Sequence, residues 1–464
     1  MGALQGTTCS TARQPPRNNP AHHNTARFQK GPKYIRGIDR GQGGVYTRFS
    51  PPMLRPMGAE PIVVVGAGAA GITAAIFAAS TGRRVLLLER TRDGGRKILI
   101  SGGGRCNVLP SEGDPARYVT ESSPNTLRKM LLSWPLPEQR EFFEREVGIR
   151  LALEPETGKL FPASNKARDV RDSLYALARR RGVELSFDTN VEDVQPDSTA
   201  GSWRIRLANQ PEMVASSLVL ATGGLSVPAT GSDGRGLTIA KRLGHTLHPT
   251  YPALTPLLAA GGPHAPLAGV SLEVALHAPA RKRGVSSEGG FLFTHRGYSG
   301  PAVLDVSHMA VCAESRTVQP VLVQWSALNA EAWERTLAGA STGLVITLLR
   351  RHLPDRLAGA LLEEAGIPGD RSAAQLRRDE RVRLVEMLTR YSLPWTGDEG
   401  YKKAEVTGGG VALGEVDPRT LESRIRSGLF LCGEILDAFG PIGGYNFLWA
   451  WATGRAAGLG AAAR

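Results

Sequence analysis

Short apolar runs that end on glycine or an acid recur along the chain and predict a buried sheet. Residues 62–65 form an uncharged apolar run, and residues 85–88 form another that ends beside Glu89. Between them, small and apolar residues follow a glycine turn and predict a helix that begins near residue 69. Apolar runs at 217–220 and 429–432 also lead into glycine. Short apolar strands joined through helices are typical of an α/β fold with a parallel sheet.

The pattern changes in the middle of the chain. Strand-like segments dominate up to residue 330, and residues 331–392 then carry apolar positions at helical spacing. Prolines near residues 252 and 256 mark where the first α/β segment ends. We therefore predict a disordered basic extension (1–58), the first part of a cofactor-binding domain (59–250), an inserted domain that is β-rich over 251–330 and helical over 331–400, and the C-terminal part of the cofactor-binding domain (401–464).

Smaller elements are predicted within the first part. Residues 138–149 and 166–181 have helical periodicity, and a short helix is expected around 237–243. Strand-like segments lie at 183–187, 191–194 and 203–207. We expect these three segments to form a small antiparallel unit.

The first glycine turn has the residue types that a dinucleotide site requires. Gly66 permits a sharp turn, Gly68 leaves room for a pyrophosphate, and Gly71 permits close packing of helix and strand. The helix that follows directs its free N–H groups at the phosphates, and an acid 23 residues after the first glycine is placed for the adenosine ribose. A structural glycine turn is the alternative. The predicted contacts are Gly66, Gly68, Ala69, Ala70, Gly71, Glu89 and Arg90.

A second glycine-rich segment follows the second apolar run. Three consecutive glycines, at residues 102–104, expose backbone N–H groups that can hold an anion, and nearby cations add positive charge. A flexible loop is the alternative, and Cys106 fits a small buried packing residue better than a direct cofactor contact. The predicted contacts are Lys97, Ser101, Gly102, Gly103, Gly104, Arg105, Cys106 and Asn107.

Two later glycine segments indicate that the dinucleotide is FAD, because they supply a second part of the binding site far along the chain from the first. The first is Ala221, Thr222, Gly223 and Gly224, and the second is Gly433, Glu434, Asp437, Gly443, Gly444, Tyr445 and Asn446. An acid is expected at the ribityl hydroxyls, and the last helix is expected to direct its N-terminus at the flavin pyrimidine edge. Glu434 and Asp437 are solvated loop acids in the alternative interpretation, and Asn446 is a helix cap.

Charge and cysteine content restrict the classes of partner. The formal net charge is +13, but residues 1–58 hold nine basic residues against a single acid, so the rest of the chain is only mildly basic. We interpret that segment as an upstream extension, and we do not expect the body to bind nucleic acid. No apolar run is long enough to cross a membrane. The four cysteines are widely spaced, which favours the reducing cytoplasm and excludes a CxxC metal or redox site.

Several longer motifs resemble a known family. The segments GRKILISGGGRCNV (95–108), YPAL (251–254), FTHRGYSGP (293–301) and GGYNF with WAW (443–451) look like those of the BaiN-type, or aminoacetone-oxidase-like, NAD(P)/FAD-dependent oxidoreductases. The resemblance covers about residues 60–460. It implies an FAD domain split by an inserted lobe, and a reductase that acts on small molecules. Leu109 and Pro110 depart from the family pattern, as do Arg296 and Tyr298.

The predicted activity is transfer of hydride from NADH or NADPH, bound transiently, through FAD to an unsaturated or carbonyl-containing small molecule. His295 is the candidate general acid, although a structural role is the alternative. The spacing of His245 and His248 does not indicate a metal site, so no metal is predicted. Two other functions stay open, an FAD-dependent monooxygenase and a tRNA-modifying, nucleic-acid-binding flavoprotein. The sequence does not determine the oligomeric state.

Overall fold

The computed structural model describes residues 60–198, 201–259, 261–279, 284–311, 320–339 and 342–464. The predicted disordered extension, 1–58, lies outside these residues, as do Cys9 and Cys312. Within the described ranges, no helix has the length and apolar character needed to cross a membrane.

The strands of the described chain are β1 (Ile62–Val65), β2 (Val85–Leu88), β3 (Leu109–Pro110), β4 (Leu151–Glu154), β5 (Lys159–Pro162), β6 (Glu184–Ser186), β7 (Val191–Pro196), β8 (Trp203–Leu207), β9 (Met213–Ala215), β10 (Ser217–Leu220), β11 (Leu247–Ala253), β12 (Leu257–Leu258), β13 (Ser271–Ala278), β14 (Val285–Phe293), β15 (Gly297–Ser299), β16 (Leu322–Gln324), β17 (Tyr391–Ser392), β18 (Gly397–Asp398), β19 (Val406–Val411) and β20 (Leu429–Leu431).

The α-helices of the same ranges are α1 (Ala69–Ala79), α2 (Arg96–Ile100), α3 (Pro124–Leu131), α4 (Leu136–Glu141), α5 (Ala167–Arg180), α6 (Arg235–Arg242), α7 (Pro301–Val311), α8 (Ala330–Ala338), α9 (Val345–Leu349), α10 (Asp355–Glu364), α11 (Arg378–Thr389) and α12 (Tyr445–Ala463). A π-helical turn, Phe142–Val147, continues α4.

A five-stranded parallel sheet in the order β20-β10-β1-β2-β6 positions the glycine segments. Val65 at the end of β1 pairs with Leu220 of β10 and Leu88 of β2. Leu220 in turn pairs with Leu431 of β20. Because parallel strands end at the same edge, the glycines that follow β1, β10 and β20 all meet there. The strands predicted at 217–220 and 429–432 are confirmed as members of this sheet.

The prediction of a three-segment antiparallel unit was wrong for its first strand. β6 pairs parallel to β2, with Leu185 opposite Leu87, and it is an edge strand of the main sheet. It follows α5, so the chain crosses over before it pairs, and such a crossover gives a parallel strand. The antiparallel unit consists instead of β7, β8 and β9.

The first and last helices pack backbone to backbone. A Cβ added at Gly454 of α12 would lie 2.4 Å from the carbonyl oxygen of Ala70, and one at Gly458 would lie 2.2 Å from that of Ala74. Glycine is therefore required at both positions for α12 to approach α1 so closely. The contact joins the two ends of the α/β domain.

The middle of the chain forms a second buried cluster around a seven-stranded sheet in the order β17-β16-β13-β14-β15-β12-β18. Its buried apolar residues lie between 257 and 393, whereas those of the first cluster lie at 62–243 and 411–462. β11 pairs antiparallel with β19 where the chain leaves the α/β domain and returns to it. The predicted domain limits are compatible with these clusters and stay a prediction.

Helix α7 lies inside the segment predicted to be β-rich. Val303, Val306 and Ala310 are buried on it at spacings of three and four residues. β-Branched residues favour strands, and this composition concealed the helical period of the segment. Helices α8 to α11 coincide with the stretch predicted to be helical, although α8 begins one residue before it.

Candidate cofactor-binding site

A cavity of about 820 Å³ lies at the carboxyl edge of the parallel sheet. Most residues predicted to bind the cofactor line it: Gly66, Gly68, Ala69, Ala70, Glu89, Arg90, Lys97, Ser101, Gly102, Gly103, Arg105, Asn107, Ala221, Thr222, Gly223, Gly433, Glu434, Gly443, Gly444 and Asn446. Six others do not: Gly71, Gly104, Cys106, Gly224, Asp437 and Tyr445. The structure therefore brings four separate segments of the chain to one space. The binding roles of these residues stay predictions.

The glycines of the first turn have different surroundings. Gly66 has φ +100°, and a Cβ there would lie 2.6 Å from the carbonyl oxygen of Ala221. A Cβ at Gly71 would lie 1.8 Å from the carbonyl oxygen of Gly66. At Gly68 a Cβ would meet nothing within 4 Å. Gly66 and Gly71 are thus required for packing, whereas Gly68 leaves open space in the cavity.

Helix α1 begins at the cavity without a side-chain cap. Its N-cap residue is Gly68, and no side chain accepts a hydrogen bond from its first N–H groups. These groups and the positive end of the helix dipole make this end of α1 suited to an anion.

Glu89 is held rigidly at the end of β2. One carboxylate oxygen accepts from the Ala67 N–H at 2.8 Å, and the other accepts from the N–H and hydroxyl of Thr91 at 2.9 and 2.7 Å. The residue is 8% exposed and lines the cavity. The neighbouring Arg90 forms an ion pair with Asp233, which also lines the cavity.

The three consecutive glycines adopt left-handed conformations, with φ of 55°, 67° and 84° at residues 102, 103 and 104. Ser101, Gly102 and Gly103 line the cavity, and the Arg105 guanidinium lies 3.9 Å from the ring centre of Phe161. Cys106 is fully buried, and burial raises the pKa of its thiol to about 12. This residue is therefore a neutral packing group.

Glu434 is part of a four-residue polar network. Lys97 Nζ donates to one carboxylate oxygen at 2.6 Å, while Ser226 Oγ and Thr407 Oγ1 donate to the other at 2.6 and 2.9 Å. The Thr407 N–H also donates to that second oxygen at 3.1 Å. The network joins α2, the segment after β10, β19 and the end of β20, and it fixes the carboxylate at the cavity wall.

Asp437 and Tyr445 have structural contacts away from the cavity. Asp437 is buried, and its Oδ2 accepts hydrogen bonds from the Thr120 hydroxyl and from the N–H and hydroxyl of Ser122. The Tyr445 hydroxyl accepts from Arg117 at 2.7 Å, and its carbonyl accepts from the hydroxyl of Tyr118. We therefore correct the expectation that these two side chains face the cofactor.

Asn446 lines the cavity but does not cap α12, whose N-cap residue is Gly444. Its side chain accepts from the Gly440 N–H at 2.9 Å and donates to the Gly440 carbonyl at 3.0 Å. It therefore fixes the loop that leads into the helix, and the helix-capping alternative was wrong.

His295 lies on an exposed turn between β14 and β15 and is not among the cavity-lining residues. This position does not bring it to the predicted cofactor contacts. The structure thus places the candidate general acid outside the cavity.

His245 and His248 belong to separate networks. His245 Nε2 lies 2.8 Å from Ser423 Oγ, and its Nδ1 lies 3.0 Å from Glu415. Although this order of groups matches a hydrolase triad, Ser423 Oγ already accepts hydrogen bonds from two backbone N–H groups, and burial lowers the pKa of His245. His248 contacts Ser122 and Asp437 instead. No group of residues suited to a metal ion occurs in the described ranges.

Two residues that line the cavity carry a buried polar atom without a hydrogen-bond partner in the described chain, Asn107 Oδ1 and Thr222 Oγ1. Thr222 Oγ1 packs against Gly236 of α6. Asn107 is 7% exposed. A buried polar atom without a partner is costly, and a bound ligand removes that cost. Together with the uncapped helix and the open space at Gly68, the Asn107 oxygen fits FAD.

The sequence did not indicate several ionisable residues around the cavity. Lys159, Lys403 and Glu405 line it, and Asp305 of α7 accepts a hydrogen bond from the N–H of Ile442, another lining residue. These residues come from β5, from α7 and from the segment before β19, and they do not belong to a cofactor motif. Only the fold brings them together.

Comparisons with known proteins match nearly all of the described chain. A family model described as HI0933-like protein Rossmann domain matches residues 60–460. A ribosomal RNA dihydrouridine synthase of Escherichia coli is 35% identical over 401 residues, which cover 84% of this chain and 95% of that protein. A 3-dehydro-bile acid delta(4,6)-reductase of Clostridium scindens is 33% identical over 412 residues, which cover 87% and 99%.

A ribosomal RNA dihydrouridine synthase of Haemophilus influenzae is 33% identical over 402 residues, which cover 86% of this chain and 97% of that protein. The predicted resemblance and the α/β fold with a Rossmann-type domain are confirmed. The chain belongs to the HI0933-like Rossmann family of FAD-dependent oxidoreductases.

Proposed function

We propose that this protein reduces a carbon–carbon double bond conjugated to a carbonyl group, with FAD as cofactor and NADH or NADPH as electron donor. The observation that carries the proposal is that one cavity joins the glycine segments to a wall of ionisable side chains. Hydride addition to such a double bond requires a cofactor on one side and a proton source on the other. The names of the relatives, a bile acid reductase and two dihydrouridine synthases, support the same class of reaction.

The chain's residues have distinct tasks in holding FAD. Gly68 and the N-terminus of α1 accommodate the pyrophosphate, and Glu89 accepts from the adenosine ribose. Glu434, fixed by Lys97, faces the ribityl chain. The N-terminus of α12 stabilises negative charge at the pyrimidine edge. When bound, FAD supplies a ring that accepts and donates hydride.

The nicotinamide nucleotide is expected to enter the same cavity. The described residues form a single parallel sheet, and no second glycine turn of the same kind was found in the sequence. The cavity volume of about 820 Å³ is in the upper part of the range for ligand pockets, roughly 300–1,000 Å³. Donor and acceptor therefore bind one after the other.

Our first candidate for the substrate is a uracil base in ribosomal RNA. Its C5=C6 bond is conjugated to the C4 carbonyl, and two relatives that match nearly their full length are named for its reduction. Lys402 and Lys403 are exposed, and Lys403 lines the cavity, so their ammonium groups are placed to contact phosphate. This candidate replaces the earlier expectation that the body does not bind nucleic acid.

A steroid-like enone is the second candidate, favoured by the name of the Clostridium scindens relative. The two substrates are separated by incubating the purified protein and NADPH with unmodified ribosomal RNA and, separately, with a 3-oxo-Δ4 steroid. Mass spectrometry of digested RNA and of the steroid identifies the product that gains two hydrogens. Gain of an oxygen atom coupled to oxygen consumption, in either product, would contradict the proposal and indicate a monooxygenase.

A further inference from the structure

Three elements converge on the 442–444 loop at one end of the cavity. Asp305 of α7 accepts from the Ile442 N–H at 2.8 Å. Lys159 Cε would lie 3.7 Å from a Cβ on Gly443, and Asn107 Oδ1 would lie 3.0 Å from a Cβ on Gly444. The inserted lobe therefore meets the cofactor-binding segments at this loop.

Glu405 faces the same space. It directly precedes β19, where the chain returns from the inserted lobe, and its N–H donates to the carbonyl oxygen of Leu254 at 3.1 Å. Its side chain is exposed, and the residue lines the cavity together with Lys159 and Ile442. The surface that it exposes is therefore available to a molecule inside the cavity.

The surroundings of Glu405 favour the protonated carboxyl. Glu405 exposes surface to the cavity but is otherwise surrounded by protein atoms, and this partial loss of water is the largest cause that raises its pKa. The charge of Asp305 raises this pKa further. Lys159 opposes both effects. A carboxyl group whose pKa is raised keeps its proton to higher pH, which suits a general acid.

The pKa of Asp305 is raised as well. Burial raises its pKa to about 6, while the hydrogen bonds from Ile442 and Ser287 and the charges of Arg117 and Lys159 oppose the rise. The Ser287 hydroxyl donates to its second oxygen at 3.3 Å. The charge of Asp305 in turn raises the pKa of Glu405, because a nearby like charge disfavours the ionised carboxylate.

An independent feature suits this end of the cavity to a polar ligand. Asn107 is more than nine-tenths buried, its Oδ1 lacks a hydrogen-bond partner among the described residues, and this atom lies beside Gly444. An amide oxygen accepts hydrogen bonds, and a donor group of a ligand bound here would give it a partner. The two carboxyls therefore lie next to a prepared ligand position.

We propose that Glu405 donates the proton that completes reduction of the substrate, and that Asp305 is a positioning residue that keeps Glu405 protonated. The inference rests on the proposed function. The β carbon of the conjugated double bond gains hydride, whose electron pair NAD(P)H supplies as it becomes NAD(P)⁺. The α carbon gains the Glu405 proton, so one π bond breaks, two C–H bonds form and a carboxylate remains. Water then returns a proton to Glu405.

The test separates the two half-reactions by stopped-flow absorbance. In Glu405→Gln, bleaching of the flavin by NAD(P)H is expected to keep its wild-type rate, whereas reoxidation by the uridine-containing RNA or the enone falls by about 100-fold or more. Glu386→Gln, an exposed position on α11, is the matched control and keeps both rates. Reoxidation of Glu405→Gln within twofold of the wild type would overturn the inference.

The role of Asp305 has its own readouts. In the wild type, reoxidation slows as the pH rises through the pKa of Glu405, and in Asp305→Asn the same fall occurs at lower pH because a neighbouring negative charge is gone. Carboxyl ¹³C NMR of the cofactor-free protein measures that pKa directly, and Glu405→Gln assigns the resonance. An ordinary glutamate pKa that Asp305→Asn leaves unchanged would overturn the inference. Failure of every substrate to reoxidise the wild type would instead contradict the proposed function.

Discussion

At the scale of single residues, Gly68 is the most informative position of the first glycine turn. Gly66 and Gly71 are restricted by backbone atoms that a Cβ would meet at 2.6 and 1.8 Å, so larger residues there disturb the fold itself. At Gly68 a side chain has free space in the protein and an ordinary φ of −77°. A substitution at this position therefore tests ligand binding without disturbing the packing.

Gly68→Leu is expected to fold normally and to lose FAD, because its side chain occupies the predicted pyrophosphate position. The ratio of flavin to protein absorbance in the purified protein measures retention, and we expect less than about a tenth of the wild-type ratio, since the loss of one well-placed anion contact already exceeds 1.4 kcal/mol. Gly359→Leu on α10, where a Cβ also meets nothing within 4 Å, is the control. Full flavin occupancy in Gly68→Leu would contradict the assignment.

Asp305 gives a prediction for stability against pH. Its folded-state pKa of about 6 is above the ordinary aspartate value of 3.8. The folded protein thus holds a proton that the unfolded chain releases, so this residue contributes less stability as the pH rises from about 4 to about 6. Asp305→Asn lacks this titration, and relative to the wild type its free energy of unfolding is expected to rise across that window by about 1–3 kcal/mol.

Urea unfolding of the cofactor-free protein between pH 4 and pH 8 measures this difference in the free energy of unfolding. Asparagine is chosen because its amide oxygen still accepts the hydrogen bond from the Ile442 N–H. The matched control is Asp370→Asn at an exposed position, which should leave the pH dependence unchanged. A constant difference between Asp305→Asn and the wild type across the range would show that Asp305 titrates normally.

At the scale of elements, the close contact between α1 and α12 joins the first and last segments that line the cavity. Gly454→Ala places a Cβ 2.4 Å from a backbone oxygen of α1, and such overpacking is expected to cost about 1–3 kcal/mol. Gly359→Ala in α10 has no such neighbour and is expected to stabilise by about 0.5–1 kcal/mol. Thermal unfolding of both variants measures these changes. Equal effects of the two substitutions would contradict the close packing.

The elements that the sequence predicted correctly have strong local signals. β1, α1 and β2 combine apolar runs with glycine punctuation, and β10 and β20 repeat that combination. Which strands pair depends on residues that are far apart in the chain, so β6 was assigned to the wrong sheet. The helical spacing of apolar residues in α7 was concealed by its β-branched residues, which favour strands unless burial in the lobe stabilises a helix.

At the scale of the whole molecule, the two sides of the cavity differ in how far the sequence revealed them. Glycine turns and helix N-termini mark the side predicted to bind the cofactor, because their chemistry is set by backbone conformation over a few residues. The other side combines Lys159, Asp305 and Glu405, which are far apart in the chain and belong to no motif. Their proximity depends on how the inserted lobe packs against the α/β domain. The sequence analysis therefore selected His295 as the general acid, because that residue lies in a recognisable local motif.

The central claim is tested most directly by an anaerobic single turnover. The purified protein is reduced with one equivalent of NADPH or NADH, and uridine-containing ribosomal RNA or a 3-oxo-Δ4 steroid is then added while the flavin absorbance is followed. We predict that one nucleotide bleaches the flavin and that one substrate restores its colour, with one double bond reduced per flavin. A reduced flavin that air reoxidises but neither substrate does, or a protein that cannot be loaded with FAD, would contradict the account.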